Sequence, residues 1–175
     1  IIIIGNFIFL SYYFNKNELA MYYALILVPL FVHSIFNLGI IKGFKIFLGD
    51  SGSSLIGFII AFLSIYNYKF ESIHPVLIIW SMSYIVYEFL FVNIFRIFSK
   101  NNLFKPGLDH FHYELKKKLN LSNFEILLIL FTINIFFILI GYLLFFKLSS
   151  DVSLIFFILI FFIYSGSRYY FRLKI

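Results

Sequence analysis

The sequence lacks cysteine altogether and is poor in charge: 13% of its 175 residues are Asp, Glu, Lys or Arg. With no cysteine there is no disulfide, no cysteine-ligated zinc and no thiol nucleophile. A soluble domain of this size carries roughly 25% charged residues, and a chain with half that could not clothe a water-facing globule in polar side chains. What fills the space is apolar: 62% of residues are hydrophobic and 23% aromatic, among them 27 Phe and 13 Tyr. The solvent that suits such a surface is a bilayer. The aromatics then need no binding role, because they face lipid.

A membrane-spanning helix needs about 20 mostly apolar residues. Six stretches qualify or nearly qualify: 1–14, 18–36, 52–68, 73–98, 123–146 and 152–167. The expected fold is therefore all-α, a polytopic bundle of about six spans. No internal repeat or low-complexity linker divides it, so residues 1–175 read as a single transmembrane domain. The chain opens on four isoleucines without Met, and has neither a charged n-region nor a small-residue cleavage site. It does not read as a signal peptide, and an N-terminal truncation is expected.

The net charge of +6 raises the question of a nucleic-acid partner, and its distribution answers against one. Lys42, Lys45, Arg96, Lys100, Lys105, Lys116, Lys117, Lys118, Arg168, Arg172 and Lys174 all fall on one side of the alternating connections. Lys16, Lys69 and Lys147 fall on the other. The positive-inside rule places the basic side in the cytoplasm. The longer loops around residues 50 and 110 then share the cytoplasmic face.

Three features carry chemistry. The first is Phe47-Leu48-Gly49-Asp50-Ser51-Gly52-Ser53, at the mouth of an apolar helix. Gly49 and Gly52 permit close backbone approach and positive φ. Ser51, Ser53 and the backbone N–H groups at a helix N-terminus suit phosphate oxygens. Asp50 is a hard oxygen ligand suited to Mg²⁺ shared with substrate phosphates. Equally, Asp50 or Ser51 could serve as an ordinary helix cap. The second is the loop Gly107-Leu108-Asp109-His110-Phe111-His112-Tyr113-Glu114, where His110 and His112 could bind phosphate or relay protons. A zinc site there lacks a third ligand at convincing spacing. The third is Glu88 with Arg96, eight residues apart on one face of the long fourth span, too far to touch directly. An acid within a span is costly and is usually functional or paired, and equally Glu88 could snorkel at the cytoplasmic water boundary if the helix extends beyond the bilayer. His33 and His74 read as interfacial, and Asn93 and Asn134 as interhelical hydrogen-bonders.

Taken with Phe36-Asn37-Leu38-Gly39, Leu55-Ile56-Gly57-Phe58 and His74-Pro75, these motifs resemble the polyprenyl-phosphate N-acetylhexosamine-1-phosphate transferases. Within that family the chain looks most similar to the bacterial undecaprenyl-phosphate GlcNAc-1-phosphate transferases of cell-envelope polysaccharide synthesis, and to their C-terminal half. The resemblance runs over nearly the whole chain. It implies transfer of a sugar 1-phosphate from a UDP-sugar to undecaprenyl phosphate, with release of UMP, at the cytoplasmic face of the bacterial inner membrane. It implies Mg²⁺, or Mn²⁺, on Asp50, catalytic roles for Asp50, His110 and His112, and substrate contacts from Asn37, Ser51, Gly52, Ser53, Glu88 and Arg96. The chain departs from the pattern in places. The family's early acidic pair and its Asn-x-x-Asp-Gly loop would precede residue 1. Glu88 replaces an Asp, Phe95 an Arg, Gly107 and Leu108 an Asp-Arg pair, and Tyr113 a His. Two rival readings follow: an inactive protein of the same fold, and a small transporter or channel subunit. The second would need polar residues through the bilayer centre, and mid-span acids or bases are nearly absent.

Overall fold

A computed structural model describes residues 1–38, 41, 46–100, 102–103 and 107–173. Eight helices and no strand occur among them: α1 (Ile2–Tyr13), α2 (Asn17–Asn37), α3 (Gly49–Lys69), α4 (Pro75–Ser81), α5 (Ser83–Phe98), α6 (Phe111–Leu119), α7 (Asn123–Lys147) and α8 (Ser150–Leu173). They fall into two compact units, Ile1–Ser81 and Met82–Ile175.

The all-α expectation holds; the count of six spans does not carry over directly. Four helices, α2, α3, α7 and α8, are long and apolar enough to cross a membrane, and α4 with α5 would make a fifth if taken as one span. The expected first span is the 12-residue α1, about 18 Å at about 1.5 Å per residue. The expected fourth, 73–98, is two helices interrupted at Met82 (φ −105°, ψ 7°). The stretch 96–122, read as a loop, contains α6, and Lys116, Lys117 and Lys118 lie on that helix. The expected last span runs on to Leu173, so Arg168 and Arg172 stand on α8 and not in a tail.

In the first unit, α1 and α2 are joined by a turn in which Asn15 takes positive φ (59°). Phe7, Leu10, Tyr23, Leu77 and Trp80 are fully or almost fully buried. Two polar pairs lie inside: the Asn6 amide donates to Ser81 Oγ at 2.6 Å, and the Tyr23 hydroxyl donates to Asn67 Oδ1 at 2.9 Å. Such bonds join helices where apolar surface gains little by leaving lipid. His74, expected at an interface, accepts the Val76 N–H through Nδ1 at 3.3 Å and so caps α4.

In the second unit the core is built around Tyr87, whose ring meets Phe137, Phe157, Phe161 and Tyr164. Its hydroxyl donates to the Phe157 carbonyl at 2.7 Å. Asn134 accepts from Ser83 Oγ at 3.5 Å between α7 and α5, as expected of it. Asn93 does otherwise: its amide bonds the Phe89 carbonyl of its own helix. A capping box sets the start of α7, with the Ser122 and Glu125 side chains each accepting the other's backbone N–H. Asn120 in the left-handed region (φ 51°) closes α6 just before it.

Candidate functional site

The motif residues divide between the units. In the first unit, the Asn37 amide at the end of α2 donates to the Ile46 carbonyl at 3.1 Å, tying the chain that leads into Gly49. Lys42, Lys45 and Gly39 lie outside the described residues. Gly49 has φ +68°, a conformation that costs glycine least, and it turns the chain into α3. Asp50, Ser51, Gly52 and Ser53 form the first turn. The N-cap is Leu48, with no side-chain cap hydrogen bond, so neither Asp50 nor Ser51 caps α3. Ser53 Oγ donates back to the Asp50 carbonyl at 2.9 Å. The Asp50 carboxylate is exposed at the positive end of the helix dipole, where negative charge is favoured. Gly52 leaves room for the Leu48 side chain; a Cβ there would sit 2.8 Å from Leu48 Cγ.

The second unit brings Glu88, Arg96, Asp109, His110 and His112 together with residues the sequence did not single out. Glu88 is buried, and its carboxylate is fully engaged. Oε1 accepts the Phe111 N–H at 2.7 Å and Arg168 Nη2 at 3.2 Å. Oε2 accepts the Tyr164 hydroxyl at 2.5 Å and Arg168 Nε at 3.2 Å. Arg168, 2% exposed, also donates through Nη1 to Glu114 Oε2 at 2.5 Å and through Nη2 to the Asp109 carbonyl at 3.3 Å. Its guanidinium lies against the rings of Phe91 and Phe111, 4.9 and 4.5 Å from their centroids. Glu114 pairs in addition with Arg172 Nε at 3.5 Å, and Arg172 lies 3.9 Å over the Phe95 ring. A buried acid and a buried arginine satisfy each other here, as low dielectric demands.

Arg96 does not reach Glu88, as its two-turn separation required. It grips Asp109 in a bidentate pair, Nε to Oδ2 at 2.6 Å and Nη2 to Oδ1 at 2.7 Å, and Nη1 holds the Leu103 carbonyl at 2.8 Å. This fork-to-fork geometry is the strong form of the ion pair. Gly107 packs directly on it: a Cβ there would collide with Asp109 Oδ1 and come within 2.6 Å of Arg96 Nη2. The Arg96 hydrogen bond holds the Asp109 carboxyl below the usual carboxylate range.

The histidines follow from this frame. His110 is the N-cap of α6, and the first N–H of the helix goes to Glu88. The His110 and His112 rings are stacked, 5.8 Å apart and 9° from parallel, and His112 packs 4.1 Å from Tyr113. His110 is 43% exposed at its side chain, with Nδ1 3.8 Å from Glu88 Oε1. Burial, and then the neighbouring His110, push the His112 imidazole below its ordinary value, so it stands neutral at pH 7. A neutral imidazole beside an exposed one can accept a proton or donate a hydrogen bond to an anionic oxygen. No group of three or more His, Asp or Glu disposed to hold a metal occurs among the described residues.

Arg168 was legible in principle. It closes an apolar run on a segment with room for another helical turn, and α5 carries a buried acid needing a cation. Glu114 stood in the histidine motif without a partner assigned to it, and Tyr164 gave no comparable signal.

Among known proteins, the chain is similar to the undecaprenyl-phosphate alpha-N-acetylglucosaminyl 1-phosphate transferase of Pasteurella multocida, 30% identical over 103 residues, which is 57% of this chain and 29% of that protein. The Salmonella typhimurium protein of the same name is 28% identical over 102 residues, 57% of this chain and 28% of its own length. The one from Haemophilus influenzae is 27% identical over 108 residues, 59% and 30% of the two chains. The match thus spans less than a third of the length of these relatives. No family profile matches the chain, and no solved structure does. The helices and the relatives together mark a multi-pass membrane protein with a distant kinship to transferases that act with undecaprenyl phosphate.

Proposed function

We propose that the chain is part of a transferase that moves a sugar 1-phosphate, GlcNAc-1-phosphate in the first instance, from a UDP-sugar to undecaprenyl phosphate. The observation that carries the reading is the similarity to transferases of that name over more than half the chain. The geometry supports it with an exposed acid on a helix N-terminus and a separately anchored histidine pair. Glycan 1-phosphate transfer asks for positioning and charge compensation around a diphosphate more than for covalent chemistry by the protein.

Asp50 fits a divalent cation in the mode of Mg²⁺ sites that use one or two carboxylates and take their other oxygens from substrate phosphates and water. Its carboxylate is exposed and takes no hydrogen bond from a described residue. Mg²⁺ held there would neutralise the diphosphate. The α3 N–H groups, with Ser51 and Ser53, face the same end of the helix and offer donors to phosphate oxygens. His110 and His112 bind a phosphate oxygen or hold its proton, and His112 is poised neutral for either. Glu88 and Arg96, expected to touch substrate, hold the histidine segment in place instead; their polar atoms are taken up by Arg168, Tyr164, Phe111, Asp109 and Leu103. The active-site loops face the cytoplasm, where UDP-sugars are made.

The experiment is transfer of radiolabelled GlcNAc phosphate from UDP-GlcNAc to undecaprenyl phosphate by the protein encoded by the complete reading frame, with Mg²⁺ in detergent. Lipid-linked GlcNAc diphosphate is the expected product. Absence of product from every UDP-N-acetylhexosamine would leave the second reading, an inactive protein of the same fold. Phe95 and Leu108, where the resemblance implies arginines, favour that reading if the assay fails.

A further inference from the structure

We infer that Arg168, on the last helix, is the positioning residue of the histidine segment. Three acceptors from two places in the chain meet on its guanidinium: the Glu88 carboxylate of α5, the Glu114 carboxylate of α6 and the Asp109 carbonyl. Asp109 and Glu114 bracket His110 and His112. One side chain therefore fixes both ends of the six-residue stretch, Asp109 to Glu114, that carries the two imidazoles.

Glu88 completes the clamp. The carboxylate that Arg168 orients accepts the Phe111 N–H, the peptide link between the two histidines' residues. Tyr164, one turn before Arg168 on α8, donates to the same carboxylate. The Phe111 and Phe91 rings both lie against the guanidinium, 4.5 and 4.9 Å away, and Arg168 is 2% exposed. The Arg96–Asp109 pair anchors the approach to this segment from outside, and Arg168 reaches both of its ends.

Arginine is required here by geometry. Its planar fork presents donors in fixed directions, whereas an ammonium is a point charge that cannot reach all three acceptors at once. A residue serving only as counter-charge to Glu88 and Glu114 would be replaceable by lysine. A positioning residue would not. The catalytic consequence rests on the transferase reading above; the placement of the histidines does not.

The test uses the full chain in nanodiscs. Each histidine is modified with diethyl pyrocarbonate, and the rate per residue is read by peptide mass spectrometry from pH 5 to 8. His74, in the other unit, is the internal reference. The groups facing His112 are His110, Glu88 and Arg168. In Arg168→Gln, the rate at His112 rises several-fold and its pH midpoint moves up toward that of an ordinary histidine, while His74 is unchanged. Arg168→Lys behaves as Arg168→Gln does. If either variant fails to fold with charges left unpaired, the neutral triple variant Glu88→Gln, Glu114→Gln, Arg168→Gln carries the same measurement, and the same rise at His112 is expected. Wild-type rates and midpoints in Arg168→Gln or the triple variant would overturn the proposal. Full rescue by lysine would reduce Arg168 to a counter-charge and overturn it too. No transfer activity enters the readout, so a wild-type protein without transfer activity would sink the transferase reading, while mobile histidines in Arg168→Gln would leave this one standing.

Discussion

The Arg168 guanidinium lies between the carboxylates of Glu88 and Glu114, 3.2 Å from the first and 2.5 Å from the second, and all three side chains are buried. The arrangement ties the half-buried histidine segment to buried charges of its unit, although it was read as a loop. Removing one member is expected to cost more than the pair contributes, because the other is left charged and buried. Glu88→Ala should destabilise the second unit by about 3–5 kcal/mol, with Glu88→Gln milder because its amide oxygen still accepts the Phe111 N–H, although its NH2 cannot accept from Tyr164. Thermal unfolding in detergent checks both the size and the order.

The Arg96–Asp109 pair gives a pH dependence of definite sign. The Asp109 carboxyl is held below its unfolded value, first by the Arg96 hydrogen bond. Its contribution is fully present above the unfolded value, about 3.9, and is lost as pH falls through the folded one. His112 adds a loss in the same direction at higher pH. Its depressed folded value means that the unfolded chain takes up the proton first, beginning near about 6.5. Stability should therefore fall in two stages on acidification, and Arg96→Gln should remove only the lower one. Thermal melts between pH 8 and pH 3 separate them.

Gly107 is expected to tolerate nothing larger. A Cβ would press on Asp109 and Arg96 together, and the bidentate pair cannot shift without releasing the Leu103 carbonyl. Gly107→Ala should speed amide exchange at residues 107–111 and leave the first unit unchanged. Exchange at wild-type rates would show that the pair moves aside freely.

Topology is tested by cysteine placement, simple in a chain without native cysteine. Ser51 and Leu108 are both exposed. With the basic connections inside, cysteine at either position should resist a membrane-impermeant thiol reagent in intact cells and react once the membrane is opened. Labelling of either from outside would reverse the orientation and place the active-site loops on the wrong face.

How much of this was legible in the sequence depends on the kind of signal. Long apolar runs announced α2, α3, α7 and α8, because period and length suffice in a bilayer. The break at Met82 was hidden, since 73–98 is mostly apolar and carries no glycine or proline inside it after Pro75. Glu88 and Arg96 were found as unusual residues, but their partners were not. Those come from α8 and from the stretch before α6, 80 and 13 positions away, and nothing local fixes such pairings. Asp50 was found with its helix N-terminus because a glycine-flanked acid before an apolar run is a local pattern. Gly107 read as a lost aspartate, whereas its missing Cβ is what the Arg96–Asp109 pair packs against.

The chain by itself is expected to show no transfer from UDP-GlcNAc to undecaprenyl phosphate. It offers one acid proposed to hold a metal, Asp50, and the histidine pair, while Phe95 and Leu108 stand where the resemblance implies cations. Each missing electrostatic contact can cost roughly 3 kcal/mol, about a hundredfold in rate, although such losses do not simply add. Lipid-linked GlcNAc diphosphate formed by residues 1–175 alone would show that these residues suffice.

The most direct measurement of the central claim is the same radiolabelled transfer assay on the complete reading frame, wild type against Asp50→Asn. Asparagine keeps the shape and the α3 helix and loses only the charge that a divalent cation needs. Wild-type protein should form lipid-linked sugar diphosphate, and Asp50→Asn should form none while inserting and melting as wild type does. Turnover by Asp50→Asn at the wild-type rate would contradict the assignment of Asp50 and the chemistry built on it.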